Sequence, residues 1–179
     1  MSKNIFDTGT PIELLQMLDA REQRVNMQQE LLQQYPNESL LSATMNIPGP
    51  IKNNERLATA FLEVIQAVNE KFAATYLFQT TKNLETGMEF YLVTSLSPRE
   101  FKLALIQIEE THPLGRLCDL DVLYLDEDKL QSVHRADCGL PPRKCYICEN
   151  SAKECGRSRK HSIEEMQQKI NQLIEMEEI

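Results

Sequence analysis

Two carboxylates spaced by one residue, Asp119-Leu-Asp121, lie in the most apolar strand-like run of the chain, Leu117–Leu125. In a strand, alternate side chains share a face, so the pair projects to the same side about 6.6 Å apart along the backbone. Leu120, Val122 and Tyr124 then take the opposite, core-facing side, and Cys118 also points away from the carboxylates. Two such groups repel each other, and burying them unpaired is costly. A divalent cation removes that cost. Magnesium takes one or two protein carboxylates and completes its shell with water and phosphate oxygens. The pair therefore points to phosphoryl chemistry, with the metal over Asp119 and Asp121. The bland alternative is an exposed strand end. Gly115-Arg116 precedes the pair on the turn into the strand. Glycine permits close backbone approach to phosphate, and arginine grips it bidentately.

A second cluster has ligand chemistry of another kind. Cys145 and Cys148 have knuckle spacing, and Cys155 and His161 complete the residue types of a structural zinc site. The alternatives are reduced thiols packed near the core, or a Cys-x2-Cys pair that closes on oxidation. With Cys118 and Cys138 the cysteines number 5. That odd count, behind an N-terminus without a secretory pattern, points to reduced thiols and a cytoplasmic setting.

Net charge is −8 over 179 residues, Trp is absent and aromatics make up 6%. These values disfavour nucleic-acid and anionic-membrane binding. No apolar run approaches the length of a membrane span. Residues 134–161 reverse the trend: Arg135, Arg143, Lys144, Lys153, Arg157, Arg159 and Lys160 outnumber Asp137, Glu149 and Glu154. A basic island on an acidic chain suits a polyanion or an acidic partner, or else is a solvated loop with incidental charge.

The elements that position these residues can be read in order. Thr10-Pro-Ile-Glu13 reads as a capping box opening a first helix. Its positions 14, 18, 21, 25, 28, 32 and 35 line one face, on which Arg21 and Gln28 interrupt apolar residues. Arg21 is there a snorkelling surface group, the partner of a structural acid, or a phosphate ligand. Leu41–Ile47 alternates like a strand and ends at Pro48-Gly-Pro50, a sharp turn able to approach a ligand, with Lys52 just beyond. A helix over 55–72 follows, with Leu57, Phe61, Val64, Val68 and Phe72 inward. Thr75–Thr80 and Met88–Ser95 read as a hairpin joined by Thr81–Gly87. Ser97-Pro-Arg-Glu100 caps a helix with Phe101, Leu105 and Ile108 inside, and His112-Pro113 ends it. Asp126-Glu-Asp-Lys129 closes the carboxylate strand, and after an irregular stretch Ser162-Ile-Glu-Glu165 caps a C-terminal helix over 162–178. The expectation is a single α+β domain over 1–179, a mixed sheet flanked by helices, with a Cys/Arg-rich segment at 134–161.

Asn46-Ile-Pro-Gly-Pro-Ile-Lys52, His112-Pro-Leu-Gly-Arg-Leu-Cys-Asp-Leu-Asp121, Arg143-Lys-Cys-Tyr-Ile-Cys148 and Cys155-Gly-Arg-Ser-Arg-Lys-His161 together resemble the apo-citrate lyase phosphoribosyl-dephospho-CoA transferase family, as does Ala20-Arg-Glu-Gln-Arg24. The likeness covers nearly the whole chain. It implies transfer of the prosthetic group from triphosphoribosyl-dephospho-CoA to a serine of the citrate lyase acyl carrier protein, with pyrophosphate leaving. Gly115 with Asp119 and Asp121 also resembles the Gly … Asp-x-Asp signature of nucleotidyltransferase-like folds, although Gly-Arg replaces the usual Gly-Ser or Gly-Gly and no third carboxylate stands out. On these resemblances Asp119 and Asp121 are catalytic and hold magnesium. Gly115, Arg116, Lys52, Asn46, Arg21, Arg143, Arg157, Arg159 and His161 serve substrate binding, His161 being shared with the zinc reading. No enzyme nucleophile is needed, because the partner supplies the serine. The competing reading is a zinc-stapled, non-catalytic module for assembling an acidic partner.

Overall fold

A computed structural model describes residues 4–178. Helix α1 spans Leu14–Gln34, followed by strand β1 (Ser39–Met45), helix α2 (Glu55–Phe72), strands β2 (Tyr76–Leu84) and β3 (Gly87–Thr94), and helix α3 (Pro98–Thr111). Strand β4 (Cys118–Asp126), strand β5 (Lys129–Val133), and helices α4 (Ala152–Ser158) and α5 (Ile163–Met176) complete the order. The strands form one sheet in the order β2-β3-β1-β4-β5.

All of the pairings are antiparallel, so the expected mixed sheet is corrected. The reason lies in the crossovers. Helix α2 carries the chain from β1 past β3 to β2, and α3 carries it from β3 past β1 to β4. Each crossover skips one strand, so parallel strands are never neighbours. The β1-α2-β2-β3-α3-β4 unit is a split βαβ arrangement, with β5 added at one edge.

Alternation along the strands divides the sheet cleanly. Leu41, Ala43, Phe90, Leu92, Leu120 and Val122 face α2, α3 and α5, whose Phe61, Val64, Phe101, Leu105, Ile170 and Ile174 are buried in the same core. Phe72 and Phe101 meet edge-to-face at 4.8 Å. On the opposite face Leu40, Tyr91, Val93 and Leu123 form a smaller core with Leu31 and Leu32 of α1. The inward residues expected for α2 and α3 are all buried. Asn54 caps α2, and Ser97 and Ser162 form the capping boxes of α3 and α5. No helix among the described residues is long and apolar enough to cross a membrane.

Several local expectations are revised. Helix α1 begins at Leu14 rather than behind Thr10, because the Ile12 amide donates to Pro50 and Pro11 bridges to Ile51, holding the backbone extended. Its sheet-facing side carries Ala20, Arg24, Gln28, Leu31 and Leu32, whereas Leu14, Leu18 and Val25 are exposed. A polar face dominates the sheet-facing side of the first turns, so the apolar stripe alone misassigns it. The β2–β3 hairpin is tighter than expected, turning at Glu85 and Thr86 with Gly87 at φ 126°. Strand β5 and helix α4 lie where an irregular stretch was expected. Asp126 to Lys129 forms a turn with Glu127 and Asp128 at positive φ, a conformation that aspartate tolerates better than most residues. Gly49, at φ 84°, packs on α5: a Cβ there would lie 2.6 Å from Gln167 Nε2.

Truncation separates the two ends of α1, of which the later turns pack on the sheet and the first turns do not. Leu32→Ala should cost about 2–5 kcal/mol, and Leu18→Ala should stay within about 0.5 kcal/mol. Urea unfolding of both variants measures this, and the reverse order would mean that α1 docks through its first turns.

Candidate functional site

The register sets the site. Asp119 lies opposite Thr44 and Asp121 opposite Ser42 on β1, and these in turn lie opposite Glu89 and Tyr91 on β3. The carboxylates therefore share a face, as the strand alternation requires. Helix α1 covers the rest of that polar row. Gln28 donates to Ser42 Oγ at 2.9 Å, and Arg24 Nε donates to Glu89 Oε1 at 2.9 Å. The Tyr91 hydroxyl donates to Glu89 Oε2 at 2.6 Å. Burial first, then the Glu89 carboxylate, holds Tyr91 protonated well above the usual phenol range. Glu89 is thus a third acid on the carboxylate face, two strands away and already paired.

Pairing between β4 and β5 ends at Val122 and Val133, which leaves the β4 edge at Leu120 without a strand neighbour. Helix α3 fills the gap with side chains. Buried Lys102 donates its Nζ to the Leu120 carbonyl at 2.6 Å, and buried Glu109 accepts the Leu120 amide at 3.2 Å. These contacts satisfy a backbone edge that would otherwise be orphaned. They also set an ammonium and a carboxylate beside the Asp pair.

Arg143 is the central clamp. Its Nη1 donates to Asp119 Oδ1 at 2.9 Å, and Nη2 donates to the carbonyls of Cys118, Arg116 and Gly115 at 2.6, 3.1 and 3.2 Å. Asp121 makes no hydrogen bond or ion pair among the described residues. Asp121 keeps an exposed side chain, and desolvation by the protein around its carboxyl raises its pKa. Lys102 opposes the shift, Asp119 adds to it, and Arg143 and His134 oppose it. Burial likewise raises Glu109, against the pull of Lys102, Arg143, the Leu120 amide and Arg135.

Two clefts meet at Asp119. One, of about 180 Å³, is lined by Asp119, Asp121, Lys102, Glu109, His134 and Arg143. The other, of about 160 Å³, is lined by Asp119, Arg21, Arg24, Asn46, Lys52 and Thr44. Partial burial and the nearby Arg21 lower the pKa of Lys52, whose Nζ donates to the Ile47 carbonyl at 2.6 Å. Asp119, Asp121, Arg143, Arg21, Asn46 and Lys52 are thus brought around one carboxylate. Gly115 lies buried against α3, where a Cβ would sit 2.6 Å from the Ile108 carbonyl and 2.8 Å from that of Glu109. Arg116 donates to the Lys144 carbonyl. Exposed Arg157 and Arg159 line neither cleft. His161 faces the cysteines, with Nε2 3.3 Å from Cys148 Sγ.

Sequence reasoning missed Lys102, Glu109, Arg24 and Glu89. Lys102 and Glu109 stand seven residues apart, two helical turns on one face, and adjoin the apolar positions of α3. A polar pair flush with a core stripe was the available signal. Arg24 and Glu89 have none, because only the sheet brings them together.

A pH test follows from Glu109. Its folded pKa lies above the ordinary 4.5, so its contribution to stability is full below that value and falls as pH rises through the folded pKa. Glu109→Gln keeps an acceptor for the Leu120 amide. It should therefore gain stability relative to the parent as pH rises through that window, measured by urea midpoints on either side. A constant difference would place the ionisation cost elsewhere.

A profile of the apo-citrate lyase phosphoribosyl-dephospho-CoA transferase family matches residues 12–177. The chain is 49% identical over 175 residues to a probable apo-citrate lyase phosphoribosyl-dephospho-CoA transferase of Streptococcus pyogenes serotype M5 (strain Manfredo), covering 97% of this chain and 91% of the relative. It is 33% identical over 172 residues to the apo-citrate lyase phosphoribosyl-dephospho-CoA transferase of Escherichia coli O1:K1 / APEC, covering 94% and 92%. Protein CitXG of Haemophilus influenzae (strain ATCC 51907 / DSM 11121 / KW20 / Rd) is 38% identical over 170 residues, which cover 93% of this chain and 36% of that longer protein. With its carboxylate strand, arginine clamp and basic cleft inside the matched region, the chain belongs to the apo-citrate lyase phosphoribosyl-dephospho-CoA transferase family.

Proposed function

We propose that this protein transfers phosphoribosyl-dephospho-CoA from its triphosphate precursor to a serine of the citrate lyase acyl carrier protein, in a nucleotidyltransferase type of reaction. The serine Oγ–phosphorus bond forms as the bond from the α-phosphorus to the pyrophosphate oxygen breaks. Pyrophosphate leaves, the serine proton passes to solvent or a carboxylate oxygen, and a phosphodiester remains. Family membership supports the reaction class. The observation that carries the reading at the level of chemistry is Asp119, the common wall of a cleft where Asp119, Asp121 and Glu109 meet Lys102, Arg135 and Arg143, and of a basic one lined by Arg21, Arg24 and Lys52.

The residues fit a magnesium ion. Asp121 is unpartnered, and Asp119 has only Oδ1 engaged by Arg143, so hard carboxylate oxygens on one face remain free. Bound there, magnesium would neutralise charge on phosphate oxygens as pyrophosphate departs. The protein's own groups do the rest. Lys52, Arg21 and Asn46 line the basic cleft and suit a triphosphate tail. Arg143 fixes Asp119 and keeps its charge from repelling Asp121. Lys102 offsets the surplus negative charge behind the pair. Exposed Arg157 and Arg159 suit the acidic surface of a carrier protein. The non-catalytic module is not favoured, since the relatives are named as transferases.

The test is incubation with the acyl carrier subunit, magnesium and triphosphoribosyl-dephospho-CoA or a nucleoside triphosphate, read by intact mass of the carrier. A gain matching the phosphoribosyl-dephospho-CoA unit, from its precursor only, is expected. Asp121→Asn should slow that gain by about 10²-fold or more with unchanged circular dichroism. An unmodified carrier with the parent enzyme, or full activity in the variant, would overturn the assignment.

A further inference from the structure

The basic segment after β5 has too little core to hold its shape. Between Arg135 and Lys160 the buried apolar side chains are Cys138 and Cys155. Small units with so little apolar burial are usually stapled by a disulfide or a metal. Here Cys145, Cys148, Cys155 and His161 converge, their ligand atoms all within 4.8 Å of one another.

The spacing matches a metal better than a disulfide. Zn–S near 2.3 Å and Zn–N near 2.0 Å in a tetrahedron place neighbouring ligand atoms about 3.5–3.8 Å apart. Cys148 and Cys155 sulfurs are 3.5 Å apart, and His161 Nε2 is 3.3 Å from Cys148 Sγ. A disulfide needs about 2.05 Å and would leave two of the four groups unused. Backbone donors also serve the sulfurs. The Ile147 amide lies 3.4 Å from Cys145 Sγ, and the Asn150 amide donates to Cys148. Such N–H···S bonds support thiolate ligands.

The backbone delivers all four groups locally. The Cys145 amide donates to Asn150 O at 2.8 Å, closing the knuckle that holds Cys145 and Cys148. Helix α4 carries Cys155. It ends at Arg159 in the left-handed region, with the Lys160 amide on the Cys155 carbonyl, and so turns His161 back toward the sulfurs.

We propose that Cys145, Cys148, Cys155 and His161 bind one structural zinc ion. Three thiolates and a neutral imidazole give the closed tetrahedral set of a structural site. Each thiol that is protonated beforehand releases its proton on binding. The staple bears on the cleft through the chain, since Cys145 follows Arg143 by two residues and the Ala152 amide donates to the Arg143 carbonyl at 2.8 Å. Zinc therefore holds the strap from which Arg143 reaches Asp119.

The test uses the full, untagged chain purified under reducing conditions without added metal, and needs no activity assay. Expected are about one zinc per chain by elemental analysis and, after zinc removal, uptake of cobalt(II) with the absorption of tetrahedral thiolate coordination. Chelation should speed amide hydrogen exchange at Cys145 and Ala152. Cys148→Ser and Cys155→Ser should lose most of the metal, while Cys138→Ser keeps it. Reduced parent protein that carries no zinc and gives no cobalt absorption overturns the proposal, whatever the variants do. So does a Cys148–Cys155 disulfide as the stable state of protein kept under reducing conditions.

Discussion

One guanidinium ties the turn before β4 to the carboxylate strand. Gly115, Arg116 and Cys118 present carbonyls at that turn, and Arg143 donates to all three while pairing with Asp119. Arginine suits this position because its fork directs several fixed donors at once, which an ammonium cannot do. Without it, Asp119 and Asp121 would share a face with uncompensated charge. The turn would also lose the bonds that hold its entry into the strand.

The same logic governs the next stretch of that edge of β4. Strand β5 stops short of Leu120, and α3 supplies Lys102 and Glu109 in place of a strand neighbour. Backbone satisfaction and site electrostatics are thus met by the same side chains. A conventional core residue at either position would leave Leu120 unpaired and strip charge from the cleft. On the far side of Asp119, Arg24 with Glu89 neutralises a third acid on the carboxylate face, and Arg21 and Lys52 line a basic cleft. A charge-balanced cleft and a basic one sharing one carboxylate suit a ligand whose charge is concentrated in one part.

The Cys/Arg-rich segment reaches this centre from outside the sheet. It contributes Arg143 to the clamp and Arg135 to Glu109 and Glu110. A segment with so little apolar burial can place two arginines only if something fixes its own backbone. The knuckle, the short helix α4 and the four converging ligand groups do that. The segment's positive charge is consequently divided, with Arg135 and Arg143 spent internally and Arg157 and Arg159 left on the surface.

The chain's local patterns determined much of this protein. Helix α2 and its inward residues, the Ser97 and Ser162 capping boxes, and the shared face of Asp119 and Asp121 follow from periods of 3.6 and 2 and from cap chemistry, all short-range properties. The cluster of Cys145, Cys148, Cys155 and His161, which the fold brings together, was also legible in order. Tertiary structure alone decided the antiparallel order of the sheet, the true inner face of α1, the existence of β5, and the company of the carboxylates. Arg143 meets Asp119 across 24 residues and Arg24 meets Glu89 across 65. Such pairs are fixed by how a helix and a loop pack against the sheet, and no local pattern encodes that.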